Sequence, residues 1–202
     1  MTNVEELWRN IIAASLTCGI LCIFSDNGTY PWFVIGLVYA SFFEYFYHRC
    51  ISHTELLPLA SIKHRQHHRH WRGGRVIDRT RRHLNEDWYF FPVALLAHFA
   101  VAKFAGWIPY ELLLGFTVFY LQYEIFHWAT HIKGNWIDDV LMGVPGIWYL
   151  RRQQIRWHLR HHDIPKSCFN FTPPYTGDHL LMTSMGHVDP QYLKWEAFDG
   201  KQ

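Results

Sequence analysis

"YPWFVIGLVYASFFEYFYHRCISH" (Tyr30–His53) decides how the chain is read. It opens as an unbroken apolar run close to the length that spans bilayer hydrocarbon. It closes on two histidines spaced H-x4-H, His48 and His53. The apolar part, Tyr30–His48, reads as a membrane helix that carries the first imidazoles to one membrane face.

Three other runs share this character: Val4–Phe24, Trp88–Trp107 and Pro109–His131. Trp and Tyr gather at their ends, as at a membrane interface. The short turn "GWIPYE" (Gly106–Glu111) makes the last two an antiparallel hairpin. Core helices of a soluble bundle are the competing reading, and charge placement separates the two. Four crossings put the N-terminus, the loop from Arg49 to Asp87 and everything after His131 on one side. Of the 19 Lys and Arg, 18 then share that side, Lys103 being the exception. Excess Lys and Arg mark the cytoplasmic face. The expectation is one all-α integral membrane domain over residues 1–202, with four transmembrane helices and a helical cap. Cap and both termini face the cytoplasm, at the inner membrane of a bacterium or the endoplasmic reticulum of a eukaryote.

Bulk properties narrow the alternatives. A chain of 202 residues suits one domain, and a net charge of +2 gives no footing for nucleic acid. Cys18, Cys22, Cys50 and Cys168 form no C-x-x-C pair and read as small buried hydrophobes. The start "MTNVEELWRN" lacks the basic opening and small-residue cleavage site of a secretory signal. No phosphate-binding glycine loop, H-E-x-x-H helix or nucleophile elbow occurs.

The chemistry sits in the histidines. His48 and His53 are followed by "KHRQHH" with His64, His67 and His68, then by His127 and His131, then by "WHLRHH" with His158, His161 and His162. All ten fall at the cytoplasmic ends of the second and fourth helices or in cytoplasmic segments. On a helix, residues at i, i+3 and i+4 share a face, so each H-x-x-H-H aims two or three imidazoles at one point. Imidazole suits iron, zinc, copper or nickel. Ten are too many for one metal and about right for two. Glu44 and Glu124 lie on the same helix faces, where they could orient an imidazole through its other nitrogen or serve as interhelical hydrogen-bond partners. His70, His83, His98, His179 and His187 read as ordinary core or surface residues, His98 within a helix as an interhelical partner.

Three stretches resemble the membrane fatty acid hydroxylase/sterol desaturase superfamily of non-haem di-iron enzymes. They are "EYFYHRCISH" (Glu44–His53), "YLQYEIFHWATH" (Tyr120–His131) and "HLRHHDIPKSCFNFTPPYTGDHLLMT" (His158–Thr183). Their order and the Phe-rich turn after the last box look most like the fatty acid 2-hydroxylase branch. The ten-residue spacer from His53 to His64 is closer to sterol or carotene relatives. The histidine-box core covers about residues 44–183.

The resemblance implies that the ten clustered histidines hold two iron ions, with zinc possible in purified protein. It also implies O2-dependent hydroxylation of an unactivated C–H bond on a membrane lipid, most simply a fatty acyl chain. No cytochrome b5-like domain or "HPGG" motif is present, so electrons are expected from a separate cytochrome b5- or ferredoxin-like protein. Two rivals use the same residues: a desaturase or sterol/carotenoid oxidase, and a non-catalytic membrane metal-binding protein. Retention of all ten positions favours an enzyme.

Two basic stretches remain. "HWRGGRVIDRTRRH" (His70–His83) carries five arginines, either as a solvated loop or as a contact for anionic headgroups or an acidic electron donor. "RRQQIRWHLR" (Arg151–Arg160) reads as a second basic face on an interfacial helix.

Overall fold

The computed structural model describes residues 2–71 and 88–184. The basic stretch Arg72–Arg82, His83 and the tail from Met185 with His187 lie outside the described residues.

Helix α1 (Asn3–Ile23) starts at a capping box. The Thr2 hydroxyl accepts from the Glu5 amide, and the Glu5 carboxylate accepts from the Thr2 amide. Helix α2 (Tyr30–Phe46) has Pro31 in its first turn, where a missing N–H costs nothing. The later helices are α3 (Pro58–His70), α4 (Phe90–Phe104), α5 (Tyr110–His131), α6 (Trp136–Met142), α7 (Ile147–Asp163) and the short α8 (Thr176–Leu180). Among the described residues there is no strand, only an isolated bridge between Asp26 and Pro109.

That bridge fixes one end of the bundle. The Asp26 amide donates to Ile108 O at 2.8 Å and the Tyr110 amide donates to Asp26 O at 3.0 Å. This joins the end of α1 to the start of α5. At the opposite end the Trp128 indole donates to Asn3 Oδ1 at 3.1 Å, and the Phe91 and Tyr120 rings stack with centroids 3.8 Å apart. Helices α2 and α5 therefore run toward the histidine end, and α1 and α4 run away from it.

α2 and α5 cross in backbone contact. A Cβ on Gly36 would stand 2.4 Å from Leu112 O, and one on Gly115 would stand 2.2 Å from Phe33 O. Only glycine permits that approach. The contact binds together the two helices that deliver His48 and His131. Around it, Ala14, Leu95, Leu113, Phe116 and Tyr120 form the buried core.

Of the four expected spans, α1 alone is long and apolar enough to cross a membrane by itself. α4 is apolar but has 15 residues, about 22 Å. α2 ends after 17 residues because the helix changes its winding, and α5 carries glutamates and histidines among its apolar residues. The outer surface is nevertheless greasy. Trp8, Ile12, Leu16 and Ile20 make an i, i+4 stripe on α1, every member more than half exposed. Val34 and Val38, Val93 and Leu96, and Leu114 and Val118 extend this surface over α2, α4 and α5. Lys103, at the end of the bundle away from the histidines, pairs with Asp26 at 3.4 Å. Among the cysteines Cys18 and Cys168 are buried as expected and Cys22 is half-buried, whereas Cys50 is exposed.

Candidate metal centre

An α-helix places residues five apart about 140° from each other, so H-x4-H cannot share an α-helical face. The chain resolves this by widening. After Phe46 it winds as a π-helix over Tyr47–Ser52, and the His53 amide donates to His48 O at 3.2 Å. Such widened turns are rare and gather at functional sites. Here the turn swings His53 beneath His48, and their Nε2 atoms lie 3.2 Å apart.

The ten histidines form two groups of five. His48, His53, His64, His68 and His161 are one; His67, His127, His131, His158 and His162 are the other. In each group the ligand atoms lie within 4.8 Å of one another. Each H-x-x-H-H box is therefore divided. Its i and i+4 members serve one group and its i+3 member serves the other, because i+3 and i+4 flank position i about 100° apart. The boxes cross over: His161 of α7 completes the first group, and His67 of α3 completes the second. The groups adjoin, with the His68 and His162 rings stacked 4.3 Å apart.

Spacing within the groups matches metal coordination. His53 Nε2 lies 3.0 Å from both His64 Nε2 and His161 Nε2. His158 Nε2 lies 2.9 Å from His127 Nε2 and 3.0 Å from His131 Nε2 and His162 Nε2. Two metal–nitrogen bonds of about 2.1 Å meeting at a right angle put their nitrogens about 3.0 Å apart. Hydrogen bonding alone does not account for the convergence, since one neutral imidazole has a single N–H to share.

Two rings have that N–H committed elsewhere. His48 Nδ1 lies 2.6 Å from Phe169 O, and His161 Nδ1 lies 2.6 Å from Ser167 O. A carbonyl only accepts, so each Nδ1 carries the proton and each Nε2 offers a bare lone pair to the centre. Burial, with the neighbouring imidazoles second, pushes His53 and His68 down to about 2. The same causes hold His64, His158, His161 and His162 well below the ordinary range. Neutral imidazoles are the ligand form, so the donor set fits a divalent transition metal in each group.

The carbonyls belong to a strap, residues 167–172, between α7 and α8. Asp178 accepts from the Phe169 amide at 3.0 Å and the Asn170 amide at 2.6 Å. Glu44 accepts from the Phe171 amide at 2.7 Å, the Thr172 amide at 3.2 Å and Asn170 Nδ2 at 3.0 Å. Glu44 thus reaches His48 through the strap rather than by touching an imidazole. Glu124 accepts from Asn10 Nδ2 at 3.3 Å, which ties α5 to α1. Asn170 and the strap carbonyls belong to no motif in the sequence; an asparagine between two phenylalanines is the signal that marks them.

The basic face expected over Arg151–Arg160 keeps Arg152, which is exposed, and Arg160, which is half-buried, but loses its other two arginines to the interior. Arg151 is buried and pairs with Asp138 at 2.8 Å. It also donates to Thr130 Oγ1 at 3.0 Å and Gln154 Oε1 at 2.7 Å. Arg156 is buried as well. Asn135 caps α6 and holds Asp138 from the other side, its Nδ2 3.0 Å from Asp138 Oδ2. The cluster locks α7, with three ligand candidates, against the end of α5, with two.

A cleft enclosing about 630 Å³, counting the space at its mouth, lies between α2, α4 and α5. Phe43, Phe91, Phe116, Phe119 and Tyr120 line it, Ala40 and Ala94 leave it open, and His48 and His64 stand at one end. Among the described residues, the grouped histidines that line it belong to the first group. Of the remaining histidines, His98 donates from Nδ1 to Ala94 O and accepts from the Tyr39 hydroxyl at 2.6 Å, the expected interhelical bond. His70 packs edge-on against Trp71 and His179 against Trp157.

Comparison with curated proteins and with solved structures finds no match. The family model described as Fatty acid hydroxylase matches residues 33–183. That match takes in three-quarters of the 202 residues and all ten grouped histidines, and the chain belongs to the fatty acid hydroxylase family.

Proposed function

We propose that the chain is a multi-pass membrane di-iron oxygenase that hydroxylates an acyl chain of a membrane lipid, in the manner of the fatty acid 2-hydroxylase branch. The family implies a lipid-modifying oxygenase. The observation that carries the finer reading is the aromatic cleft, which ends on His48 and His64 of one five-histidine group. Its predominantly apolar, aromatic walls suit a hydrocarbon chain.

His48, His53, His64, His68 and His161 would hold one iron, and His67, His127, His131, His158 and His162 the other. Bound there, the irons supply O2 activation and hydrogen abstraction from an unactivated C–H bond. One oxygen atom enters the substrate as a hydroxyl and the other leaves as water. Two electrons and two protons come from a separate redox protein of the cytochrome b5 or ferredoxin type. The protein's own residues shape the rest. Phe43, Phe116 and Phe119 exclude water and align the chain, and the strap keeps the His48 and His161 lone pairs on the centre.

The membrane reading draws on the exposed apolar stripes of α1, α2, α4 and α5 and on the alternating helix directions. With four crossings, every grouped histidine and 18 of 19 basic residues meet on one face, the cytoplasmic one. Lipid mass spectrometry of cells with and without the protein tests the reaction. A lipid heavier by one oxygen is expected. A lipid lighter by two hydrogens would make it a desaturase, and unchanged lipids together with no stoichiometric metal would remove the oxygenase reading.

A further inference from the structure

The two histidine groups are supported differently. Members of the group that faces the cleft owe their ring orientation to one piece of backbone. Phe169 O and Ser167 O, two residues apart, accept the Nδ1 protons of His48 and His161. The strap that presents them is held at both ends. Each oxygen of Asp178 takes one strap amide, and the Thr183 hydroxyl donates 2.6 Å to Asp178 Oδ1. Glu44 takes the next two amides. Asn170 joins the two acids: its Nδ2 donates to Glu44 and to Ser41 O, and its Oδ1 accepts from the Gly177 and Asp178 amides. The group away from the cleft is buried throughout and is braced by rings rather than by the strap carbonyls, with Trp71 stacked on His131 at 4.7 Å, Tyr123 on His127 at 5.2 Å and the strap's Phe171 edge-on to His158 at 4.9 Å.

We propose that Asp178, Asn170 and Glu44 form a clamp that sets metal affinity at the cleft-facing group (His48, His53, His64, His68, His161) and leaves the enclosed group largely untouched. The proposal rests on the two-metal reading above. These three are positioning residues, acting on the centre through the carbonyls of Ser167 and Phe169. In a metal site, loss of a group that orients a ligand typically lowers affinity about 10–100-fold. The clamp confines that loss to one of two metals.

The test compares the full-length chain with Asp178→Asn, Glu44→Gln and His161→Ala, each purified in lipid nanodiscs and loaded with cobalt(II) alone. An asparagine at 178 keeps one acceptor for two strap amides and turns an NH2 toward the other. After matched dialysis against a graded chelator, the unaltered chain is expected to hold two metals. Asp178→Asn is expected to hold one, with the lost site weakened about 10–100-fold. Its residual cobalt spectrum should match that of His161→Ala, which removes a ligand of the cleft-facing group. Glu44→Gln, the milder change, should shift the visible bands of that site and leave those of the other. Retention of both metals with unaltered affinity and spectrum in both clamp variants overturns the proposal. So does joint loss of both metals from a monodisperse variant. Should Asp178→Asn fail to fold, Glu44→Gln decides by the same criteria. Absence of metal from the unaltered chain overturns the two-metal reading itself, a result distinct from either clamp outcome.

Discussion

Gly115→Ala is the smallest change expected to disturb both metal groups from a distance. The added Cβ would stand 2.2 Å from Phe33 O and 3.1 Å from the Leu37 amide nitrogen, both backbone atoms of α2. Ordinary contact at such a position starts near 3.4 Å, so α2 and α5 must part by about 1.2 Å or tilt. No flexible side chain lies in the way to yield instead. Overpacking typically costs about 1–3 kcal/mol, and backbone against backbone places this change near the upper end. For a chain of this size each kcal/mol moves the melting midpoint by about 2–4 °C, which gives a fall of roughly 4–12 °C. The same separation pulls His48 and His53 away from His161, their group partner on α7, which the Arg151 cluster ties to α5, so metal content should fall along with stability. The assay is a thermal melt in detergent or nanodiscs with metal analysis of the same sample. A variant that melts within 1–2 °C of the parent, on the scale set by those costs, and keeps its metal would refute the helix contact as described.

Three further outcomes are expected. Arg151→Ala takes the cation from the buried Asp138 carboxylate, which should cost about 3–5 kcal/mol; a melt that changes no more than a surface substitution would contradict the lock between α7 and α5. Ala94→Phe narrows the cleft while leaving every grouped histidine in place, so product formation on long acyl chains should drop about tenfold or more while metal content stays level, and unchanged turnover would remove the cleft as the substrate site. Acid should unload and destabilise the histidine groups. Burial and the neighbouring imidazoles hold His53, His64, His68, His158, His161 and His162 below the ordinary range, His53 and His68 at about 2, whereas the unfolded chain protonates them below about 6.5. Stability of the chelator-stripped chain is therefore full above that pH and falls as pH drops below it, by roughly 1.4 kcal/mol per unit for each such ring. A melting midpoint flat from pH 8 to pH 5 would count against neutral, buried imidazoles.

Local spacing carried much of this protein in its sequence. The three-and-four-residue intervals of His64, His67 and His68 and of His158, His161 and His162 are helical intervals, and helical geometry repeats every few residues whatever surrounds it. The number of imidazoles likewise indicates two centres before any fold is known, and the apolar runs mark α1, α2, α4 and α5 within a few residues at most ends. Tertiary structure decided what periodicity cannot encode. Which flank of a helix meets which partner depends on contacts about a hundred residues apart, so the exchange of His67 and His161 between the groups is invisible in either box alone. The π turn that makes H-x4-H workable is an exception to the regular period. Glu44 looked like a partner for the imidazole one turn along its own helix, yet its carboxylate found strap amides more than a hundred residues away. Arg151 looked solvated and is buried because Asp138, on a different helix, neutralises it. A sequence displays which donors and acceptors exist; only the folded chain decides which of them are brought within 3 Å.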